Sequence, residues 1–188
     1  EKGHGYMNMR SGIKQSCDIY FYEVARRLGI DRLSITAKQF GLGKKVLNNF
    51  NEERSGLVPD TKWKLKNIGR GWVLGETIIS GIGQGYFQST PIQLCLMMAQ
   101  FANGGYEVKP KIIDDRINLS SIGLKKLYKN QENIKFVLDA LYGATNEPMG
   151  TSYRSRLNKP EYIYAGKTGT SQIRTITEEE RKLKLKNK

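Results

Sequence analysis

Apolar residues recur every three or four positions from Met9 to Leu28 and predict a helix there. This spacing places side chains on one face of an α-helix, and the glycine that follows is a common helix end. We expect Asp31 to cap a second helix that stops at Gly41. The stripe consists of Met9, Ile13, Cys17, Tyr20, Val24 and Leu28, with Gly29 after it.

The segment STPIQLCLMMAQFANGG, residues 89–105, carries the strongest helix signal in the chain. Thr90 and Gln93 have the spacing of a capping box, and Pro91 stands at the first helical position. Gly104 closes the segment. Its apolar composition predicts a buried helix. Residues 48–66 are polar, with little periodicity, and indicate loop or short helical turns.

The second half of the chain mixes helical and strand patterns. Residues 133–145, NIKFVLDALYGAT, have helical spacing, whereas YEVKPKII at 106–113 and EYIYAGKTGTSQI at 161–173 have the character of strands. The charged tail TITEEERKLKLKNK, 175–188, indicates a helix or a frayed end on the solvated surface. The fold class is therefore α+β, and it is mostly α-helical.

Composition narrows the partners but identifies none. The 188 residues carry 31 Lys and Arg against 18 Asp and Glu, a net charge of +13. The basic residues are scattered and no aromatic RNA-binding motif accompanies them, so a nucleic-acid partner is not expected. A membrane surface or an anionic polymer accounts for the charge equally well. No run of 18 apolar residues and no signal-peptide core occur, so we expect any membrane anchor to lie outside this chain.

Two short stretches carry candidate chemistry. SGIKQSCD contains Ser11-x-x-Lys14, a nucleophile and base on one helical face, and overlaps with Ser16-x-Asp18. AGKTGTSQ provides one cation, Lys167, with hydroxyl groups on either side of a glycine. Such an edge suits a peptide carboxylate, although a turn with a surface lysine fits the same letters.

The order of these stretches, Ser16-Cys17-Asp18 and then Lys167-Thr168-Gly169, is that of penicillin-recognising enzymes. The chain resembles the transpeptidase domain of class B penicillin-binding proteins, in particular the elongation subfamily. An aspartate at the third position of the first motif is common in that subfamily. The segments that carry the resemblance are GHG, SCDIYFYEVARRLGID, GIGQGYFQSTPIQL, ANGG, NEPMGTSY and AGKTGTSQ.

The resemblance implies the helical part of a serine β-lactamase-like fold with an incomplete antiparallel sheet. Residues 1–188 would then be a fragment that runs from just before the S-x-D motif to just after the K-T-G strand. The nucleophile motif and the flanking sheet strands would be missing. We expect the Lys167 strand to be short or abnormally paired, with exposed edges.

The implied function is a peptidoglycan D,D-transpeptidase that cross-links stem peptides during cell elongation through an acyl-serine intermediate. Its partners would be D-Ala-D-Ala stem peptides, β-lactam antibiotics, membrane proteins of the elongation machinery and the membrane surface. The expected location is the periplasmic face of the bacterial inner membrane. Two alternatives stay open: a serine β-lactamase or β-lactam sensor of the same fold, and a non-catalytic interaction module of the elongation machinery.

By the same resemblance, Ser16 would relay a proton to the leaving amine, and Asp18 would orient the lysine of the missing nucleophile motif. Lys167 would hold the terminal carboxylate of the substrate. The remaining expected contacts come from the K-T-G segment: the hydroxyls of Thr168 and Thr170 to the carboxylate, close backbone approach at Gly169, and the Thr170 N–H to the oxyanion.

In the family, the nucleophile motif precedes S-x-D by several tens of residues. Ser11-x-x-Lys14 is too close to Ser16 to take that role, so we interpret Ser11 as a helix N-cap. Residues two apart on a regular helix point about 200° apart, so Ser16 and Asp18 can face one cleft only if the helix breaks near Gln15 to Cys17.

The chemistry itself requires no cofactor. A lone histidine beside glycines is usually a surface residue, and a cysteine on an apolar stripe is usually core. The resemblance adds a second interpretation, in which His4 and Cys17 provide two of the four ligands of a structural zinc ion in the full-length protein.

Overall fold

A computed structural model describes residues 3–47, 50–112, 125–128 and 130–171, and α-helices form most of its regular structure. The predicted helical body is confirmed. No helix in these ranges is long and apolar enough to cross a bilayer. The helices are α1 Met9–Lys14, α2 Asp18–Leu28, α3 Ile30–Gln39, α4 Thr61–Ile68, α5 Leu74–Ser80, α6 Pro91–Ala102 and α7 Gln131–Asn146.

The helix predicted over residues 9–28 is two helices, with the predicted break between Lys14 and Asp18. Ser16 lies in the break with φ of 51°, a left-handed conformation that no regular helix allows. The expected N-cap role of Ser11 is wrong. Asn8 caps α1 instead, because its side chain accepts a 2.8 Å hydrogen bond from the Ser11 N–H.

The predicted capping role of Asp31 is also wrong. Gly29 occupies the N-cap position of α3, and Asp31 lies in the first helical turn. The Asp31 carboxylate instead accepts bonds of 3.0 Å from both the N–H and the hydroxyl of Thr61 at the start of α4. Asp60 caps α4, which begins inside the 48–66 stretch expected to be loop or short turns.

The capping box predicted for α6 is confirmed. Thr90 Oγ1 accepts from the Gln93 N–H at 3.3 Å, and Gln93 Oε1 accepts from the Thr90 N–H at 3.1 Å. Burial is confirmed for only one face of this helix, which includes Gln93 and Leu96. Leu94 and Cys95 are exposed, because an apolar sequence cannot bury a helix face that no neighbour covers.

Neither predicted strand forms a β ladder within the described ranges. Two isolated antiparallel bridges occur, Leu57 with Gln88 and Tyr106 with Lys126. Residues 163–171 follow a 3-10 turn at Pro160–Tyr162 and pair with no strand among the described residues. Strand propensity yields a strand only where a neighbouring backbone accepts its hydrogen bonds. Ile113, residues 172–173 and the charged tail 175–188 lie outside the described residues.

Helix α7 packs against α1, the most extensive helix pairing in the described part of the chain. Ile134, Ala140 and Ala144 are buried along it. At its edge, Glu147 accepts bonds from two cations of α1: Arg10 Nη2 at 2.6 Å and Lys14 Nζ at 3.0 Å. These ion pairs hold α1 and α7 together near the end of α1 that precedes Ser16.

The chain after α7 folds back tightly on the helix. The Ser152 N–H donates to Ala144 O at 2.9 Å, and the Thr151 N–H donates to Lys14 O at 3.2 Å. A Cβ on Gly150 would lie 2.4 Å from the Ala144 carbonyl oxygen. Only glycine fits there, and it brings Thr151 to the end of α1.

We predict that Gly150→Ala lowers the free energy of unfolding by about 1–3 kcal/mol, because the added methyl meets backbone carbonyls that cannot move cheaply. Urea unfolding measures the change. Gly71→Ala is the matched control, since a Cβ at Gly71 meets nothing within 4 Å. Equal stability of the two variants would show that the turn tolerates the methyl.

The Glu147 network predicts a pH-dependent contribution to stability. Arg10 and then Lys14 hold the pKa of Glu147 at about 2, against an ordinary 4.5. A carboxylate with a depressed folded pKa stabilises the fold above its ordinary pKa, and that contribution is lost as the pH falls toward the folded value. Glu147→Gln should therefore cost on the order of 1 kcal/mol at pH 7, with the difference vanishing between about pH 4.5 and 2.

Glu132→Gln is the control for this measurement. Glu132 lies on the same helix and pairs with Lys135, but its side chain is 78% exposed. Its loss should change the free energy of unfolding by only a few tenths of a kcal/mol at any pH, about the value of a solvated pair. A Glu147→Gln difference that persists unchanged at acid pH would contradict an ionic origin of the Glu147 contribution.

Candidate active site

Ser16 is presented by the turn that separates α1 from α2. The turn is closed by two backbone bonds, Ser16 N–H to Ile13 O at 3.3 Å and Cys17 N–H to Gly12 O at 3.0 Å. A non-glycine residue in the left-handed region costs about 1 kcal/mol, and such strain is concentrated at functional sites. The break turns the Ser16 hydroxyl toward a segment from the far end of the chain.

That segment is the K-T-G stretch. The Gly166 N–H donates to Leu141 O at 3.3 Å, which attaches the extended chain to α7 just before the motif. Lys167 Nζ then donates to Ser16 Oγ at 2.5 Å across 151 sequence positions. Thr168 Oγ1 lies 3.2 Å from the same oxygen. The two predicted motifs therefore converge on one hydroxyl group.

The electrostatics of this contact involve Lys167 and Asp18. Partial desolvation lowers the pKa of the Lys167 ammonium, and the charge of the Asp18 carboxylate opposes that shift. Asp18 is the first residue of α2, where a carboxylate is favoured by the helix dipole. A lysine with a lowered pKa releases its proton more readily than a free lysine, so it suits a proton-transfer site.

The remaining residues of the predicted substrate edge lie beside this contact. Gln84 Nε2 donates to Thr170 O at 2.9 Å, so the loop after α5 touches the end of the motif. A Cβ on Gly169 would meet nothing within 4 Å. Within the described residues the face beside Gly169 is thus open, which leaves space for an extended peptide to approach.

Lys14 is engaged away from Ser11. Its ammonium bonds to Glu147 at 3.0 Å with only 16% of the side chain exposed. An ammonium held in an ion pair is poorly suited to deprotonate a serine. This arrangement supports the interpretation of Ser11-x-x-Lys14 as a coincidental match.

The two candidate metal ligands differ in their environment. His4 is exposed in the segment before α1, and the Cys17 side chain is 6% exposed at the N-cap of α2, directly after Ser16. Across the described ranges, no three or more His, Cys, Asp and Glu side chains group so as to hold a metal ion.

Two residues of the site were not assigned a role from the sequence, Thr151 and Gln84. Thr151 Oγ1 lies 3.4 Å from Ser16 Oγ and 3.2 Å from Thr168 Oγ1. Both residues belong to segments that carry the family resemblance, NEPMGTSY and GIGQGYFQ. The sequence indicates these two residues only because they lie in segments that resemble the family. The resemblance does not indicate which polar side chain of a segment reaches the site.

Comparison with known proteins shows similarity over nearly the whole chain. Residues 1–186 match the family described as the penicillin-binding protein transpeptidase domain. The peptidoglycan D,D-transpeptidase MrdA of Salmonella typhimurium LT2 is 35% identical over 184 residues, which cover 94% of this chain and 29% of that protein. MrdA of Escherichia coli K12 is 33% identical over 181 residues, with 91% and 28% covered. The chain thus spans about three tenths of the length of these relatives.

Solved structures resemble the fold as well as the sequence. PBP2 of Pseudomonas aeruginosa, in complex with WCK 5153, superposes with a TM-score of 0.81 at 36% identity, over 90% of this chain and 39% of that one. The Helicobacter pylori penicillin-binding protein PBP2, in complex with MreC, gives a TM-score of 0.80 at 32% identity, over 90% and 31%. With the S-x-D and K-T-G motifs in contact, the chain belongs to the penicillin-binding protein transpeptidase family.

Proposed function

We propose that residues 1–188 are part of the transpeptidase domain of a peptidoglycan D,D-transpeptidase that acts in cell elongation, and that its nucleophilic serine precedes this segment. The observation that carries the proposal is the 2.5 Å contact of Lys167 Nζ with Ser16 Oγ. The name that the MrdA relatives carry, peptidoglycan D,D-transpeptidase, supports the reaction. The partial coverage of those relatives supports a longer parent protein.

In the proposed reaction, the serine of the preceding motif gives its hydroxyl proton to the lysine of that motif as its oxygen attacks the carbonyl of the penultimate D-Ala, and the bond to the terminal D-Ala breaks. The leaving amine must gain a proton. Ser16 donates its hydroxyl proton to that amine and receives one from the Lys167 ammonium, which becomes neutral. Asp18 stabilises nearby positive charge, and its further role is to orient the lysine of the nucleophile motif.

The open edge beside Gly169 holds the terminal carboxylate of the stem peptide. Lys167 attracts the carboxylate, and the hydroxyls of Thr168 and Thr170 donate hydrogen bonds to it. The backbone N–H of Thr170 donates to the developing oxyanion. The contact from Gln84 to the Thr170 carbonyl supports this role, because it holds the peptide plane that follows Thr170.

The proposed partners follow from the same assignment. β-Lactams would acylate the serine as mimics of D-Ala-D-Ala. The Helicobacter pylori relative in complex with MreC supports an elongation-machinery protein as a partner. The net charge of +13 supports proximity to an anionic membrane surface. The periplasmic face of the inner membrane is the proposed location because the proposed substrate is peptidoglycan.

A structural zinc ion in the parent protein is a further part of the proposal. Cys17 and His4 offer the sulfur and nitrogen donors that zinc prefers, and the remaining ligands would come from the segment that precedes this chain. The buried position of Cys17, directly after Ser16, supports a structural role for such an ion, which would stabilise the Ser16 turn. In this proposal the transfer chemistry itself uses no cofactor.

Covalent labelling by a fluorescent penicillin tests the proposed reaction. We expect the full-length protein to label and to release the adduct slowly, with Lys167→Ala labelling about 100-fold more slowly or worse. The labelling rate should fall at alkaline pH, with a midpoint below the ordinary lysine value of 10.5, because the pKa of Lys167 is lowered. Lys135→Ala, at a 73% exposed position on α7, is the control and should label normally.

The same experiment separates the alternatives. Rapid release of the adduct would favour a β-lactamase, and no labelling of the full-length protein would favour an interaction module. Residues 1–188 alone should form no adduct. Acylation of Ser11, detected by mass spectrometry of a digest, would overturn the interpretation of Ser11-x-x-Lys14.

Metal analysis tests the zinc proposal. The purified full-length protein should contain about one zinc per chain, and Cys17→Ser should lose it, because one of four ligands is removed. Cys95→Ser is the matched control, since Cys95 is the exposed cysteine on α6 and should not affect the metal content. A wild-type protein without zinc would reject the site.

A further inference from the structure

Thr151 reaches the site through the backbone that connects α7 to α1. Its N–H donates to Lys14 O at 3.2 Å, at the last residue of α1 and two positions before Ser16. Gly150 permits this approach, because any larger residue would collide with the α7 carbonyls. Thr151 is therefore attached to the same helix end that carries the Ser16 turn.

The Thr151 hydroxyl oxygen is a common acceptor for the two motifs. Ser16 Oγ donates to it at 3.4 Å, and Thr168 Oγ1 donates to it at 3.2 Å. Thr168 belongs to the K-T-G segment and Ser16 to the S-x-D turn. A third residue, from neither motif, thus joins their hydroxyl groups.

The number of hydrogens on each hydroxyl group indicates which oxygen donates and which accepts in the contact with Thr151. The Ser16 hydroxyl has one hydrogen and two lone pairs, and one lone pair accepts from Lys167 Nζ at 2.5 Å. Lys167 Nζ also donates to Thr168 Oγ1 at 3.2 Å. Before substrate binds, both hydroxyls accept from the ammonium, so their own hydrogens are available for Thr151, whose two lone pairs can accept both. Thr151 retains its own hydrogen for another acceptor.

We propose that Thr151 is a positioning residue, whose hydroxyl oxygen orients the hydroxyls of Ser16 and Thr168 so that both keep a lone pair facing Lys167. The proposal rests on the proposed transpeptidase function. In proton transfer, the Ser16 O–H bond breaks as the amine N–H forms, and the Lys167 N–H bond breaks as a new Ser16 O–H forms. Ser16 ends unchanged and Lys167 ends neutral, so the Ser16 lone pair must already face the ammonium.

The test compares Thr151→Val, which replaces the hydroxyl with a methyl, and Thr151→Ser, which keeps the hydroxyl, in the full-length protein. Stopped-flow labelling with a fluorescent penicillin gives the acylation rate constant and the noncovalent dissociation constant separately. We expect Thr151→Val to lower the acylation rate constant about tenfold or more, because it removes the acceptor of two hydrogen bonds, with the dissociation constant changed by less than about twofold. Thr151→Ser should restore most of the rate.

Thr61→Val is the matched control, because the Thr61 hydroxyl bonds to Asp31 between α3 and α4 and contacts no residue of the site in the described structure. It should acylate at the wild-type rate. Wild-type acylation by Thr151→Val would overturn the proposal, while leaving the transpeptidase function intact. Equal losses in the Val and Ser variants, with a lowered thermal midpoint, would overturn it in favour of a structural role. A wild-type protein that does not label would remove the proposed function and this inference together.

Discussion

The ion cluster between α1 and α7 is the interaction on which the geometry of the candidate site depends. Arg10 and Lys14 share the Glu147 carboxylate, with N–O distances of 2.6 and 3.0 Å. A carboxylate that receives two cations in a partly shielded position resists separation more than a solvated pair does. Because Lys14 is the last residue of α1, this contact fixes the point from which the Ser16 turn departs.

The Ser16 turn changes the direction in which the Ser16 side chain points relative to Asp18. On a regular helix, Ser16 and Asp18 would point in nearly opposite directions. The left-handed backbone of Ser16, with φ of 51°, ends one helix and starts the next, so its hydroxyl meets Lys167 while Asp18 acts on the same ammonium. The strain is held by the backbone bonds of the turn and by the packing of α1 on α7.

Local sequence patterns predicted helices correctly where no nearby residues offered an alternative cap or spacing. The capping box of Thr90 and Gln93 set the start of α6, and the helical spacing of 133–145 located α7. Cap assignments failed where several polar residues were close in sequence. Asp31 bonds to Thr61 of another helix instead of capping its own, a choice that depends on where α4 packs. The strand patterns gave no β ladder in the described part of the chain for a related reason, since a strand needs a neighbouring strand to pair with.

The sequence by itself determined the helical character, the break before Asp18 and, through the order of two motifs, the family. It also identified Ser16, Lys167 and Thr168 as candidates, which the structure brings together. Tertiary structure decided that Lys14 binds Glu147, 133 positions away, and that Thr151 joins Ser16, 135 positions away. No local pattern encodes such partners, because they are set by the packing of α1 on α7 and by the glycine turn that follows α7.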